Sequence, residues 1–311
     1  MNPTPIILDC DPGHDDAMAM ILAEHNPAIN LLGITTVSGN GIINKVTENA
    51  LRICALANIQ VPVAQGAGAS LLGAVEAASD IHGETALDGA PLPAPIFELE
   101  EMHGVELIAK LVQSSPEKVT LVATGPLTNI ALFLKMYPDL RNQIERIVFM
   151  GGSASRGNRT PYAEFNIWMD PEACDVVLKS KIPLTMIGLD VTHQALITPE
   201  IFARLDAIGT EISKTLSGLM RFFAKTYNDV FEMPHPPLHD PLAVAVLIDS
   251  AVTKNRFVNV ECELNGVHTR GATVVDIFNR TGREPNTTVA LELDFDRFWT
   301  MMLDAVEKAG R

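Results

Sequence analysis

The sequence predicts an α/β fold with an open, mostly parallel β-sheet flanked by helices, in a single domain over residues 1–311. Three observations lead to this expectation. Strand-like and helix-like segments alternate along the chain. The composition is 47% hydrophobic but only 5% aromatic, with aliphatic residues dominant, which suits a sheet buried between helices. No repeat, low-complexity tract or linker separates a second domain.

The elements follow from hydrophobic periodicity and from turn residues. Short apolar runs predict strands at residues 5–8, 31–37, 61–63, 119–123, 147–150 and 184–187. Helical spacing predicts helices at 15–24, 43–57 and 105–112, from 127 and from 171. Residues 257–275 alternate like strands, and 289–293 lead into a final helix from 294. Residues 66–99 are rich in Gly, Ala and Pro, which predicts a long loop with a functional role.

Charge and cysteine content exclude several classes of protein. The net charge is -15 and no long Lys/Arg run occurs, so neither a nucleic-acid partner nor a membrane-surface partner is expected. The four cysteines are far apart and form no CxxC pair, which predicts reduced core residues. Apolar runs are too short to cross a bilayer and the N-terminal segment lacks a basic region, so we expect a cytoplasmic protein.

Four carboxylates stand within eight residues, directly after the first predicted strand. They are Asp9, Asp11, Asp15 and Asp16. Acids in the first turn of a helix can cap its N–H groups, which would account for two of them. Like charges this close are costly unless they are neutralised, and no basic residue accompanies them. The cluster therefore favours a divalent cation held by oxygen ligands.

The acidic segment resembles the N-terminal signature of the nucleoside hydrolase family. Further matching segments follow in order over nearly the whole chain: DCDPGHDD at 9–16, TTVSGN at 35–40, HGE at 82–84, TGPLTN at 124–129, MGG at 150–152, AEFN at 163–166, DPEA at 170–173, GLDVT at 188–192 and HDP at 239–241. The resemblance implies the Rossmann-like nucleoside hydrolase fold and hydrolysis of the N-glycosidic bond of ribonucleosides. It also implies a homo-oligomer, either a tetramer or a dimer.

The resemblance further implies a calcium site and a ribose site. Calcium ligands would be Asp11, Asp16, Asp240 and the main-chain carbonyl of Thr124, a set of oxygen donors that suits Ca²⁺. Asp11 would also be the general base toward water. The positions that match the family's ribose-binding residues are Asp15, Asn40, Asn158, Glu164 and Asn166. Strand-like geometry would place Glu164 and Asn166 on one face, toward the same sugar.

The leaving nucleobase needs a proton or a hydrogen bond, and histidine titrates in a suitable range. His239 and His82 are the catalytic candidates, and Tyr227 is a candidate contact to the base. His14 receives no catalytic role.

Two other functions are open to the same residues. One is a magnesium-dependent phosphohydrolase of nucleotides with Asp9 or Asp11 as nucleophile, which would need a Lys or Arg for the phosphate. The other is a nucleoside-binding protein without catalysis. Base preference is left open between purine and pyrimidine.

Overall fold

A computed structural model describes residues 2–73 and 79–311. Within them, ten strands form: β1 (Thr4–Cys10), β2 (Ile29–Thr36), β3 (Val63–Gln65), β4 (Val119–Ala123), β5 (Ile144–Met150), β6 (Leu184–Ile187), β7 (Thr253–Val258), β8 (Val260–Cys262), β9 (Thr273–Val275) and β10 (Thr287–Leu293). Eight of these strands form one sheet in the order β3-β2-β1-β4-β5-β6-β10-β7. Its neighbouring strands are parallel except for β10 and β7, which are antiparallel. The pair β8–β9 forms a small separate antiparallel sheet.

Twelve α-helices occupy the described chain: α1 (His14–His25), α2 (Ile43–Ala57), α3 (Ser79–His82), α4 (Gly104–Ser114), α5 (Thr128–Met136), α6 (Phe165–Met169), α7 (Pro171–Leu178), α8 (Leu189–Thr192), α9 (Pro199–Ile208), α10 (Glu211–Phe231), α11 (Pro241–Ile248) and α12 (Phe295–Ala309). Short 3-10 helices cover Pro138–Gln143 and Ser250–Val252. No helix among the described residues has both the length and the apolar character to cross a membrane.

The strands are apolar because helices cover both faces of the sheet. On β1, Ile6 and Leu8 pack in one core cluster, while Ile7 between them packs in the other. The first cluster includes residues of α1, α2, α11 and α12, and the second includes residues of α4, α5 and α7. Helix α1 is buried along almost its whole length, which explains why its sequence is apolar on most faces.

The predicted α/β class and the mostly parallel sheet are confirmed. All four cysteines are buried and free, as expected. The 66–99 segment consists mainly of loop in its described part, with α3 as its helix; residues 74–78 of this prediction lie outside the described residues.

One local prediction was wrong. The AEFN segment does not continue as a strand, because Glu164 is the N-cap of α6 and Asn166 belongs to the first turn of that helix. The Glu164 carboxylate accepts hydrogen bonds from the main-chain N–H groups of Asn166 and Ile167, and such capping favours a helix start over an extended chain.

Candidate active site

The order of the strands places a crevice beyond the carboxyl ends of β1 and β4. The connections run outward in opposite directions from these two neighbouring strands, and ligands bind at such switch points in open α/β sheets. Asp11 follows β1 and Thr124 follows β4. The two predicted calcium ligands therefore lie next to each other because of the topology, although 113 positions separate them in sequence.

Helix packing brings the remaining acids to the same place. Asp15 and Asp16 lie in the first turn of α1, and Asp240 is the N-cap of α11, which packs against α1. Asp240 does not cap its own helix with its side chain. Carboxylate oxygens of Asp15, Asp16 and Asp240 all lie within 4.8 Å of one another, and all three residues are buried. The positive ends of the two helix dipoles favour negative charge at this point.

Asp11 lies beside this triad and is held by the chain around it. Its Oδ2 accepts a hydrogen bond from the Asn40 N–H at 2.7 Å, while its buried Oδ1 has no partner within the described chain. Glycines leave room for this carboxylate: a Cβ on Gly125 would stand 2.7 Å from Oδ1, and a Cβ on Gly39 would collide with Oδ2. The glycines of the TTVSGN and TGPLTN segments are therefore required by close approach to Asp11.

Asp16 is the most fully bonded acid of the cluster. Its Oδ1 accepts from the Thr124 hydroxyl at 2.7 Å, and its Oδ2 accepts from the Gly13 N–H at 3.0 Å and from the Asn40 amide at 3.2 Å. The Thr124 carbonyl oxygen in turn accepts from the Asn166 amide at 2.8 Å. These bonds fix the direction of the predicted ligands before any ion binds.

The electrostatics of the acidic cluster favour a bound cation. Burial, followed by repulsion from Asp16, raises the pKa of Asp11 well above its usual range and raises the pKa of Asp15 to about 7. Burial, followed by Asp15 and Asp16, raises the pKa of Asp240 well above its usual range. The charged neighbours that raise these pKa values are other carboxylates of the cluster. An oxygen-only donor set with an unpartnered buried carboxylate oxygen fits a hard divalent cation.

A cavity of about 280 Å³ opens above the acids. Ten of the predicted site residues line it: Asp15, Asn40, His82, Thr124, Asn158, Glu164, Asn166, Tyr227, His239 and Asp240. Asp11 and Asp16 do not line it and lie behind Asn40, whose side chain or main chain contacts both. The structure thus brings the predicted set together around one space.

Glu164 and Asn166 reach the cavity from the start of α6. The Glu164 Oε2 accepts from the Gly152 N–H at 2.9 Å, and the Asn166 amide also donates to the Met150 carbonyl at 3.2 Å. Burial raises the pKa of Glu164 to about 7. Asn158 accepts from the Phe165 N–H at 2.9 Å, which ties its loop to the same helix start.

His239 is held through both ring nitrogens. Its Nε2 lies 2.9 Å from the Tyr227 hydroxyl and its Nδ1 lies 2.8 Å from the Thr192 hydroxyl. Burial, followed by the nearby His193, lowers the pKa of His239 well below its usual range. Burial, followed by His14, does the same to the pKa of His82. Burial therefore favours the neutral form of both candidate histidines.

Several cavity residues were missed from the sequence, and most of them are apolar. They are Ile81, Met150, Phe165, Phe223, Val230 and Phe231, together with Arg159. Phe223, Tyr227 and Phe231 recur every four residues on α10, so the helical period around Tyr227 was a usable signal. Arg159 stacks on the Trp168 ring at 4.6 Å, and nothing in its sequence surroundings indicated this.

Comparison with known proteins settles the family. The model of the inosine-uridine preferring nucleoside hydrolase family matches residues 6–300. The chain belongs to this family.

The relatives carry different base preferences in their names. The chain is 47% identical over 304 residues to the pyrimidine-specific ribonucleoside hydrolase RihA of Shewanella sp. (strain MR-4), covering 97% of this chain and 96% of the relative. It is 44% identical to the inosine-uridine preferring nucleoside hydrolase of Leishmania major, covering 99% of both. A solved purine-preferring ribonucleoside hydrolase from Gardnerella vaginalis superposes with a TM-score of 0.92 at 32% identity, covering 99% of both chains. Since proteins named for three different base preferences resemble this chain over nearly its whole length, the fold does not determine which base is preferred.

Proposed function

We propose that this chain, an N-glycosyl hydrolase by family, hydrolyses ribonucleosides to ribose and free nucleobase in a calcium-dependent reaction that serves nucleoside salvage or catabolism. The observation that carries the proposal is the convergence of Asp15, Asp16 and Asp240 within 4.8 Å, close to the unpartnered Oδ1 of Asp11. Asp15 and Asp240 line a cavity with a polar part and an aromatic part, and Asp11 and Asp16 lie behind its wall.

The polar residues of the site would bind calcium and the sugar. Calcium would be held by Asp11, Asp16, Asp240 and the Thr124 carbonyl. When bound, it would neutralise the carboxylates and make a water molecule at the site more acidic. Asp11 would accept the proton of the attacking water, since its free Oδ1 leaves it an open acceptor. Asp15 and the ribose-binding residues, Asn40, Asn158, Glu164 and Asn166, offer the donors and acceptors that hydroxyl groups need.

The charge of the site suits the bond that breaks. As the nucleobase departs, positive charge grows on the sugar ring, and an acidic, buried wall stabilises that charge more than it stabilises the neutral substrate. The aromatic part of the wall, with Phe223, Tyr227 and Phe231, would pack on the base. His239 and His82 would supply the polar contacts to the departing base.

The phosphohydrolase alternative is disfavoured by the environment of Asp9. Its Oδ1 accepts from the Thr35 hydroxyl at 2.6 Å and from the Asn129 amide at 2.7 Å, and the residue is fully buried. A nucleophile for phosphate must be accessible and must have a cation near it. Asp9 instead ties β1 to its neighbours.

A substrate screen tests the proposal. The purified protein with calcium is incubated with uridine, cytidine, inosine and adenosine and separately with their 5′-monophosphates, and free base, ribose and phosphate are all measured. The proposal expects base and ribose from at least one nucleoside in equal amounts. Phosphate release from nucleotides without base release from nucleosides would replace it with the phosphohydrolase, and binding without any product would replace it with the non-catalytic protein. A cytoplasmic location and a homodimer or homotetramer stay predictions.

A further inference from the structure

His14, the first residue of α1, forms a buried pair with His82. The Nδ1 atoms of the two rings lie 3.1 Å apart, and the ring centroids lie 5.3 Å apart with 24° between the ring planes. The other nitrogen of His14, Nε2, lies 2.7 Å from the Asp88 carbonyl oxygen. His82 lines the cavity, whereas His14 does not. Nothing in the proposed function uses His14.

The chemistry of the partners sets the direction of both hydrogen bonds. A carbonyl oxygen can only accept, so Nε2 of His14 carries the hydrogen. A neutral imidazole has one N–H, so Nδ1 of His14 has a lone pair and accepts from Nδ1 of His82. The two contacts fit a pair of neutral rings, the ordinary form of histidine at pH 8. This arrangement predicts the hydrogen of His82 on its Nδ1.

The segment from His82 to Asp88 keeps the two partners of His14 together. The Asp88 N–H donates to the His82 carbonyl at 3.3 Å, and the Asp88 carboxylate accepts from the Glu84 N–H at 2.9 Å and from the Thr85 hydroxyl. The loop therefore closes on itself. The His82 ring and the Asp88 carbonyl are presented to His14 as one unit.

Gly13, next to His14 in sequence, leaves room for the His82 ring. A Cβ on Gly13 would stand 2.6 Å from His82 Nδ1, closer than real Cβ atoms approach a neighbour. Only glycine lets the ring lie this close to the start of α1. The His82 ring is thus held by the loop and by the hydrogen bond to His14, in a position that a side chain at residue 13 would block.

We propose that His14 is a positioning residue that holds His82 in the Nδ1–H tautomer and leaves the Nε2 lone pair as a hydrogen-bond acceptor for an N–H or amino group of the nucleobase. The identity of the ligand rests on the proposed function; the tautomer does not. Fixing a ring nitrogen through the hydrogen bond of the other nitrogen is a general device for histidine.

The tautomer is measured directly on the ligand-free protein. With ¹⁵N-labelled histidine at pH 8, the two-bond ¹⁵N–¹H spectrum assigns the protonated nitrogen of each ring, and His82→Asn identifies the His82 signals. The proposal expects Nδ1–H for His82 and Nε2–H for His14. His82 protonated on Nε2 overturns it. This measurement needs no turnover. The opposite tautomer would therefore refute the role of His14 without affecting the proposed hydrolase activity, and an inactive protein would refute the hydrolase activity without affecting the tautomer result.

Variants add a kinetic readout. His14→Leu removes the acceptor, so His82 loses its Nδ1–H preference and kcat/KM falls by about tenfold, the size of one hydrogen bond, with most of the change in KM. His14→Asn can place its amide oxygen near the former Nδ1 and restores both the tautomer and KM. In a His82→Phe background, His14→Leu has no further effect on KM, because the two act as one unit.

A matched control lies on the same helix. His25, the last residue of α1, has its Nε2 2.8 Å from the Ala57 carbonyl, the same kind of bond away from the cavity. His25→Leu should leave KM and the His82 spectrum unchanged. If His14→Leu leaves the His82 tautomer as it was, or if both Leu variants raise KM equally, His14 does not position His82.

Discussion

Asp240→Asn tests whether the acidic cluster is built around a cation, because it should stabilise the metal-free protein while it abolishes metal binding. Asp240 faces Asp15 and Asp16 with carboxylate oxygens no more than 4.8 Å apart. At an effective dielectric constant of about 20, each such like-charge pair costs about 3.5 kcal/mol when both groups are ionised. Proton sharing, reflected in the raised pKa values, lowers the realised cost. We expect the free energy of unfolding to rise by about 1–3 kcal/mol.

Calorimetry of the EGTA-treated proteins provides the measurement. A gain of this size corresponds to a Tm increase of roughly 1.5–4.5 °C for a chain of this length. Calcium should raise the Tm of the wild type by mass action but should have little effect on Asp240→Asn. Asp304→Asn, an exposed change on α12, is the control, because it alters the net charge equally without touching the cluster. A lower Tm for metal-free Asp240→Asn, or an undiminished calcium effect, would refute the reasoning.

Three further predictions concern the base, its glycine neighbour and acid stability. Asp11→Asn should lower kcat by about 10²–10⁴ with a small change in KM, and steady-state kinetics showing near wild-type kcat would remove Asp11 from the role of base. Gly125→Ala places a Cβ 2.7 Å from Asp11 Oδ1, so both kcat and Tm should fall, whereas an unchanged kcat would show that this carboxylate need not be fixed. Arg156 donates to His193 Nδ1 at 2.8 Å, and burial, followed by Arg156, lowers the pKa of His193 from 6.5 to about 4. Between pH 6.5 and about 4, His193 therefore binds a proton in the unfolded chain but not in the folded protein. The free energy of unfolding falls as the pH drops through this range. Denaturant unfolding of His193→Gln should show this slope reduced by up to about 1.4 kcal/mol per pH unit, and an equal slope would contradict it.

Most of the sheet could be predicted because a parallel strand buried on both faces is a short apolar run with turn residues at its ends. Strands β4 and β6 have the predicted bounds, 119–123 and 184–187. The order of the strands was not available from these runs. Strand β10 inserts between β6 and β7 although it comes last in sequence, and only tertiary pairing decides this.

The acidic cluster shows which part of the candidate site can be predicted from local sequence. Four neighbouring acids indicated a cation, but Asp240 joins Asp15 and Asp16 through the packing of α11 on α1, and no local pattern encodes that contact. The family resemblance supplied Asp240. The wrong geometry at Glu164 has a similar cause: AEFN fits a strand by spacing, but the Glu164 carboxylate caps α6 and also accepts from the distant Gly152 N–H.

The sequence gives His14 no catalytic role, and its contact to His82, 68 residues away, is visible only in the structure. Alone in the sequence, it reads as a helix-start residue beside the acids. The positioning role proposed for His14 follows only from its contacts to the His82–Asp88 loop.

The most direct test of the central claim is a calcium titration of the metal-free protein with a cleaved nucleoside, following calcium binding and base release in the same sample. We predict that the metal-free protein is inactive and that base release returns in proportion to the binding of a single calcium ion per chain. Full base release before calcium is added, or calcium binding that restores no activity, would contradict the claim that these acids hold the ion on which hydrolysis depends.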